Sequence, residues 1–437
     1  MTEIVQGQAL ADWLWGRQRH DWLRRVVAEL RRFPTLADLY GSSFWRAEEE
    51  ALQRFLTVIQ AGGPCGGRSG FGEDLSQEIP DSGACGLGVH LSAEDPGFPE
   101  SRPLRIVHWN ILKGISFEGI VQALTEHPAL REPDVLLLNE VDVGMARSAN
   151  RHVAAELAER LGLYWTFVPS YLELTKGPGT DQAASEQNEI GLHGVAVLSR
   201  EPPVEVLSAP LPEVFDYFGF SEKRYGTRTA LLLRLPAGLV VGTAHLEVRS
   251  TPARRADQLQ ALLNAIAGLR STAQAGRPVR RILLSGDLNT HTFPRGRLTH
   301  SLRGFLRLLI TPRPLLRRQL MEPWRGMREP LFDLLRREGY AWGHLNDQCH
   351  TAWAPLETIE EGSVLPGALQ DLLRRILLPD ARGIPLRLDW FIGWGDISPS
   401  RPNAARTVQD LCGAEAPSDH APLVLSIEER NPLGLRT

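Results

Sequence analysis

From Ala9 to about Phe33 the apolar residues Leu10, Trp13, Leu14, Leu23, Val26, Val27 and Leu30 recur at helical spacing with arginines between them, which predicts an amphipathic helix. A second helical pattern, about 43–60, carries Phe44, Trp45, Leu52, Phe55, Leu56 and Ile59. Both stripes are expected to pack on the main domain or on each other. Residues 61–103 then lose periodicity and fill with glycine and proline, a composition that buries too little apolar surface to offset its ordering entropy. This stretch reads as a linker or long loop.

Beyond it the period changes. Short β-rich runs bounded by polar residues or glycine at 105–112, 134–138, 194–198, 229–235, 239–245, 281–285, 388–392 and 422–427 predict strands. Helical patterns fall near 117–127, 151–161, 252–268 and 329–338, so strands and helices alternate and the fold class is α/β. The stretches 171–190, 201–226 and 291–328 read as long connections. The organisation is a helical N-terminal extension (1–60), a Gly/Pro-rich linker or loop (61–103) and a catalytic domain (104–430).

Composition narrows this modestly. With 437 residues, 43% of them hydrophobic and 23% charged, the chain is globular. A net charge of -4 gives no whole-protein attraction to nucleic acid or membrane. Cys65, Cys85, Cys349 and Cys412 lie far apart without ligand spacing, which argues against zinc and against a disulfide framework. No signal-peptide pattern is visible and no window approaches the ~18 apolar residues of a membrane span, so a soluble, cytoplasmic protein is expected.

The chemistry sits at strand ends. Glu140 follows the apolar run Val135–Leu138, where a carboxylate needs a partner or a hard cation such as Mg²⁺ or Mn²⁺. Asn110 ends the first strand of this region and His245 follows another. Asp287 and Asn289, two apart after an apolar strand, point to one side; Asp287 can take a proton from water while Asn289 positions that water or a phosphate. Asp389 is a strand-borne acid suited to orienting a histidine, and Asp419-His420 offers a metal ligand beside an acid-base or electrostatic group.

This ordered set resembles the endonuclease/exonuclease/phosphatase family. The resemblance rests on Trp109-Asn110-Ile111, Leu138-Asn139-Glu140-Val141-Asp142, Gly194 to Ser199, Thr243-Ala244-His245-Leu246, Arg255 with Gln258, Gly286-Asp287-Leu288-Asn289, Leu388-Asp389-Trp390 and Ser418-Asp419-His420-Ala421-Pro422. It implies a four-layer α/β/β/α sandwich of two mixed β-sheets flanked by helices. It further implies Glu140 as the main Mg²⁺ ligand with Asn110 and Asp419 nearby, Asp287 as the group that activates water, Asn289 and His245 as phosphate contacts, and His420 as a phosphoryl stabiliser oriented by Asp389. Val195 and Asn139 depart from commoner family residues. Arg147 is a candidate phosphate contact.

The implied activity is divalent-metal-dependent hydrolysis of a phosphoester, foremost a phosphodiester, by a nuclease or phosphodiesterase. The alternatives are a phosphatase or phospholipase-like enzyme on an inositol phosphate, sphingomyelin or another phosphorylated small molecule or lipid, and a noncatalytic binding protein on the same fold. Nine arginines and one acid in 291–328, interleaved with leucines, suit contact with a nucleic-acid backbone or an anionic surface, or a lid with solvated arginines.

Overall fold

The computed structural model describes residues 4–6, 16–64, 87–90, 102–272, 279–295, 299, 303, 306–307, 310–354, 384–413 and 415–428. In chain order the elements are β1 (Ile4–Gln6), α1 (Arg17–Arg32), α2 (Leu36–Tyr40), α3 (Ser43–Thr57), β2 (Ile59–Gly62), β3 (Leu87–His90), β4 (Leu104–Lys113), α4 (Phe117–Glu126), β5 (Val135–Val143), α5 (Val153–Leu161) and β6 (Tyr164–Glu173). There follow β7 (Leu192–Ser199), β8 (Glu205–Pro210), β9 (Arg224–Gly226), β10 (Thr229–Arg234), β11 (Leu239–Thr243), α6 (Pro252–Thr272) and β12 (Arg281–Asp287). The last are α7 (Arg313–Met321), α8 (Leu331–Arg337), β13 (Ala352–Ala354), β14 (Ile384–Leu386), β15 (Asp389–Gly395), β16 (Ala405–Thr407) and β17 (Leu423–Ile427).

Two mixed sheets form the centre. One runs β1-β2-β6-β7-β5-β4-β17-β16 with β9 on β6; the other runs β15-β12-β11-β10-β8-β3. The β4–β5 and β11–β12 pairs are parallel, and each also has an antiparallel neighbour. Alternation along β5 explains the layering, because successive side chains leave a strand on opposite faces. Val135 and Leu137 join Ile106, Val195, Leu231, Leu283 and Leu425 in a layer between the sheets. Leu136 and Leu138 instead pack with α1, α3, α4 and α5 through Leu30, Phe55, Ile120 and Leu157. On the far side, α6 and α8 cover the second sheet through Leu259, Ile266, Phe332 and Leu335. Three apolar layers between four structural ones give the expected α/β/β/α sandwich.

The N-terminal helices share the outer core of the first sheet: Leu23, Val26, Leu30, Trp45, Leu52 and Phe55 are buried there. β2, just after them, pairs with β6 and extends that sheet. The helix expected from Ala9 begins at Arg17, and residues 7–15 lie outside the described residues. Most of the stretch read as linker also lies outside them, yet Gly62 ends β2 and Leu87–His90 pairs with β8.

Two of the expected long connections contain strands. β6 covers the start of 171–190; its Pro169 masked the pattern, since proline is tolerated in a sheet at irregularities, and here the β6–β7 register shifts between Pro169 and Tyr171. Within 201–226 lie β8 and β9. Of 291–328, Arg313–Met321 is the helix α7, and much of 296–309 lies outside the described residues.

His152 ties the extension to the sandwich. Its Nε2 meets Gln60 Oε1 of β2 at 3.0 Å, while Nδ1 accepts from the Ala155 amide at 3.3 Å and caps α5. Burial lowers its pKa to about 3, against a backbone bond that acts the other way. A folded-state pKa below the unfolded 6.5 means that the unfolded chain binds the extra proton first, so stability is lost as pH falls from about 6.5 toward about 3. Urea unfolding midpoints measured from pH 7.5 to 5 are expected to fall in the wild type and to fall less in His152→Asn.

Candidate active site

The sheets bring polar residues together along one edge. Asn110 lies near the end of β4, Glu140 in β5, Asp287 at the end of β12 and His245 just after β11. Asp389 opens the antiparallel β15 opposite Asp287, and Asp419-His420 shortly precede β17. With Asn289 just beyond β12, all eight residues expected from the sequence gather at the same rim. Glu140, His245, Asp287, Asn289, Asp419 and His420 line a cleft of about 440 Å³, and Asn110 and Asp389 bond to them from behind.

Backbone irregularity aims the first two. The register shifts between Asn110 and Lys113 in the β4–β5 pair and between Leu138 and Val141 in the β5–β7 pair. Glu140 takes a left-handed conformation, φ 52°, uncommon for a residue with a β-carbon. Such a bulge re-aims a side chain at a sheet's end. Gly286 has a different cause: a β-carbon there would lie 1.9 Å from Ala244 O, so only glycine lets β12 run past that carbonyl before Asp287.

Asp287 is the hub. Its Oδ2 lies 3.3 Å from Asn110 Nδ2, 3.4 Å from His245 Nε2 and 3.7 Å from His420 Nε2. Its Oδ1 accepts from the Asn289 amide at 2.9 Å. Burial pushes its carboxyl up to about 7, with Asp389 and Glu140 adding to the rise and His420 opposing it. A buried carboxyl that holds a proton near neutrality is suited to exchanging one.

Asp389 grips His420, with Oδ2 2.8 Å from His420 Nδ1. Burial alone disfavours charge on either group, but their mutual attraction outweighs it. The Asp389 carboxyl is held below its ordinary range, and the His420 imidazole is raised well above its own, with Asp287 contributing. The turn that carries His420 is pinned by Ser418 Oγ donating to Asn110 O at 2.7 Å and Trp109 Nε1 donating to His420 O at 2.8 Å. His245 goes the other way: burial first, then Arg228, His193 and His420, depress its pKa well below the ordinary value, so it is a neutral imidazole.

Glu140 faces the cleft and, among the described residues, accepts one long hydrogen bond, from Asn110 Nδ2 at 3.3 Å. Burial would raise its pKa, but Lys113, His193, His420 and Arg228 together hold it below the ordinary carboxylate value. An ionised, under-bonded carboxylate with Asp419 on the same cleft is an oxygen-rich donor set that fits a hard divalent cation. Asn110 turns its Nδ2 toward Glu140 and Asp287, and its Oδ1 accepts from the Leu112 amide. Its amide therefore orients carboxylates in this arrangement. Among the described residues, ligand-type atoms of Asp287, Asp389 and His420 lie within 4.8 Å of one another. Of these, Asp389 and His420 are already paired with each other.

Asn289 (φ 50°) donates Nδ2 to Leu246 O at 2.8 Å, so it fixes the loop after β11 as well as Asp287. Arg147 requires a correction. Its guanidinium is buried against Asp142 at 2.7 Å, Glu173 at 3.4 Å and Asp181 at 3.6 Å, with a side chain 1% exposed, so it is an internal ion pair and not a phosphate contact. Arg255 and Gln258 are braces: Arg255 pairs with buried Glu329 at 2.6 Å, and Gln258 Oε1 accepts from the Glu247 amide.

Several contributors escaped the sequence reading. Asn139, noted only as a departure, spans the sheets, accepting from the Asp287 amide at 2.8 Å and donating to Thr243 Oγ1 at 2.9 Å. Its position before Glu140 was the available signal. Thr351 Oγ1 accepts from the amides of Leu388 and Asp389, and Glu247 accepts from Tyr217 and Arg228; neither stands in a motif. His108, two residues before Asn110 on the same strand face, contacts Asp389 from the far side.

The family model described as "Endonuclease/Exonuclease/phosphatase family" matches residues 107–420, and the chain belongs to that family. Its fold is accordingly that of the phosphoesterases in that family. Among solved structures it resembles a substituted form of the 3' phosphatase NExo from Neisseria bound to product DNA hairpin, with 17% identity, a TM-score of 0.41, and 74% of this chain and 99% of that one covered. It also resembles an endonuclease/exonuclease/phosphatase from Beutenbergia cavernae (18%, TM-score 0.39, 75% and 72% covered) and a family protein from Bacteroides thetaiotaomicron (11%, TM-score 0.40, 76% and 98% covered). A search of curated proteins finds no match.

Proposed function

We propose that this cleft hydrolyses a phosphoester, foremost a phosphodiester, with Mg²⁺ or Mn²⁺ held by Glu140 and Asp419 beside the Asn110 amide. The observation that carries the reading is the run of contacts from Asp389 through His420 to Asp287, with Glu140 one side chain away across Asn110. The cation, when bound, would supply positive charge for the oxygens that become more negative during displacement.

The protein's own groups do the rest. Asp287 accepts the proton of the attacking water, for which its pKa of about 7 is well matched. His420, kept cationic by Asp389, faces the developing charge on the phosphoryl oxygens. His245, neutral and close to Asp287, offers a hydrogen bond to phosphate without adding charge. Lys113, Arg224 and Arg228 line the same cleft and give it a cationic wall, although each is ion-paired.

One feature favours the second reading, a phosphatase or phospholipase-like enzyme. The cleft also has an apolar wall, formed by Leu320, Trp353, Ile384, Leu386 and Leu388, which suits a phosphoester with a greasy substituent. The arginines of α7, the helix that carries Leu320, support contact with a nucleic-acid backbone or an anionic surface. Intact Glu140, Asp287, Asp389 and His420 argue against a binding protein without turnover. Among the described residues no helix is long and apolar enough to cross a membrane, and we propose a cytoplasmic location.

Purified protein with Mg²⁺ is expected to hydrolyse one class among abasic duplex, single-stranded DNA, RNA, inositol phosphates and sphingomyelin. His420→Ala should slow that reaction by about a hundredfold or more, the usual cost of removing one group that stabilises developing charge. Equal rates in the two proteins would remove His420 from the reaction.

A further inference from the structure

We propose that His108 is a positioning residue for the reaction: it locks the plane of the Asp389 carboxylate and thereby fixes the ring of His420. This rests on the hydrolytic reading of the cleft given above.

His108 and Asn110 lie two apart on β4, so they share the face that looks between the sheets, while Trp109 points into the helix-covered core. His108 Nε2 is 3.0 Å from Asp389 Oδ1, and His420 Nδ1 is 2.8 Å from Asp389 Oδ2. The carboxylate thus has one imidazole on each oxygen. Because Asp389 is held ionised, both nitrogens donate. The first bond crosses from the nine-stranded sheet to the six-stranded one, since His108 is on β4 and Asp389 on β15.

A carboxylate's terminal torsion is broad and nearly twofold, so a single hydrogen bond leaves its plane free to rock. Bonds at both oxygens remove that freedom. The Asp389 backbone is independently fixed by its amide on Thr351 Oγ1 at 3.2 Å. With backbone and carboxylate plane both set, His420 has one ring orientation, which places Nε2 3.7 Å from Asp287 Oδ2.

The rest of the His108 ring points to the same conclusion. The side chain is fully buried, and its Nδ1 has no hydrogen-bond partner among the described residues. Its cross-strand neighbour Leu423 and the nearby Ile106 belong to the apolar layer between the sheets. An apolar residue would remove the unsatisfied ring nitrogen but would also take the donor from the buried Asp389 Oδ1, which costs stability as well. Retaining an imidazole there is explained by what its other nitrogen does.

The test compares His108→Leu, which removes the donor, with His108→Gln, which keeps a side-chain N–H of similar reach, on the full-length protein. In the leucine variant kcat is expected to fall about tenfold to a hundredfold with KM within about twofold, as for loss of a supporting partner of a reacting group. The glutamine variant should recover most of kcat. A leucine variant with unchanged kcat, or a glutamine variant as slow as the leucine one, would overturn the assignment.

A second readout does not need activity: the low-field proton NMR signal of the Asp389–His420 hydrogen bond. It should shift or broaden in the leucine variant and return in the glutamine variant; an unchanged signal in His108→Leu would overturn the proposal. Should the wild type hydrolyse nothing, the hydrolytic reading fails on its own, while this signal still decides whether His108 orients His420.

Discussion

Asp287→Asn should lower kcat by about a thousandfold, within the range that a positioned proton acceptor contributes. The substitution keeps the shape of the side chain and removes its capacity to take a proton. It also opposes hydrogen bonds: Asp287 Oδ2 now faces the Asn110 Nδ2 donor and Oδ1 faces the Asn289 amide, so an amide must set its NH₂ against one of them. Offsetting this, the variant relieves the burial of a carboxyl that the fold pushes up to about 7. Thermal melting should therefore stay close to that of the wild type while turnover collapses. Loss of folding together with activity would instead assign Asp287 a structural task.

The second large effect concerns Glu140. In wild-type protein, Mn²⁺ titration should raise the melting temperature with saturation, because a ligand that binds only the folded state stabilises it by mass action. Glu140→Gln should abolish that rise and cut turnover by about a hundredfold or more. The melting readout separates cation binding from chemistry. A rise preserved in Glu140→Gln but lost in Asp389→Asn would move the cation to the cluster of Asp287, Asp389 and His420.

How much of this was legible in the sequence differs by level. Strands buried on both faces, such as Val135–Leu138, announce themselves as apolar runs, and the functional polar residues follow directly at their ends. Alternation of helical and strand periods gives the α/β class, whereas the four-layer arrangement was implied only by the family resemblance. Short or proline-containing strands did not announce themselves: Tyr164–Glu173 carries Pro169, and Glu205–Pro210 offers too few alternating positions. These elements are stabilised by partners distant in sequence, which no local pattern records.

The site shows the same division. Asp287, Asp389 and His420 could be chosen because acids and histidines at the ends of apolar strands are costly without a task. Arg147 could not be judged, since only the fold reveals Asp142, Glu173 and Asp181 around it. The role of Asn110 turned on which way its amide faces. His108 was hidden by its neighbours: nothing in a single strand predicts that it meets a carboxylate 281 positions away on the other sheet.

The measurement that bears most directly on the central claim is phosphoester hydrolysis by wild type and Asp287→Ala, each assayed with Mg²⁺ or Mn²⁺ and again in EDTA across the substrate panel. Turnover of one phosphoester class by the wild type with cation, absent in EDTA and in the variant, is the predicted result. Undiminished turnover in EDTA, or in Asp287→Ala, would contradict it.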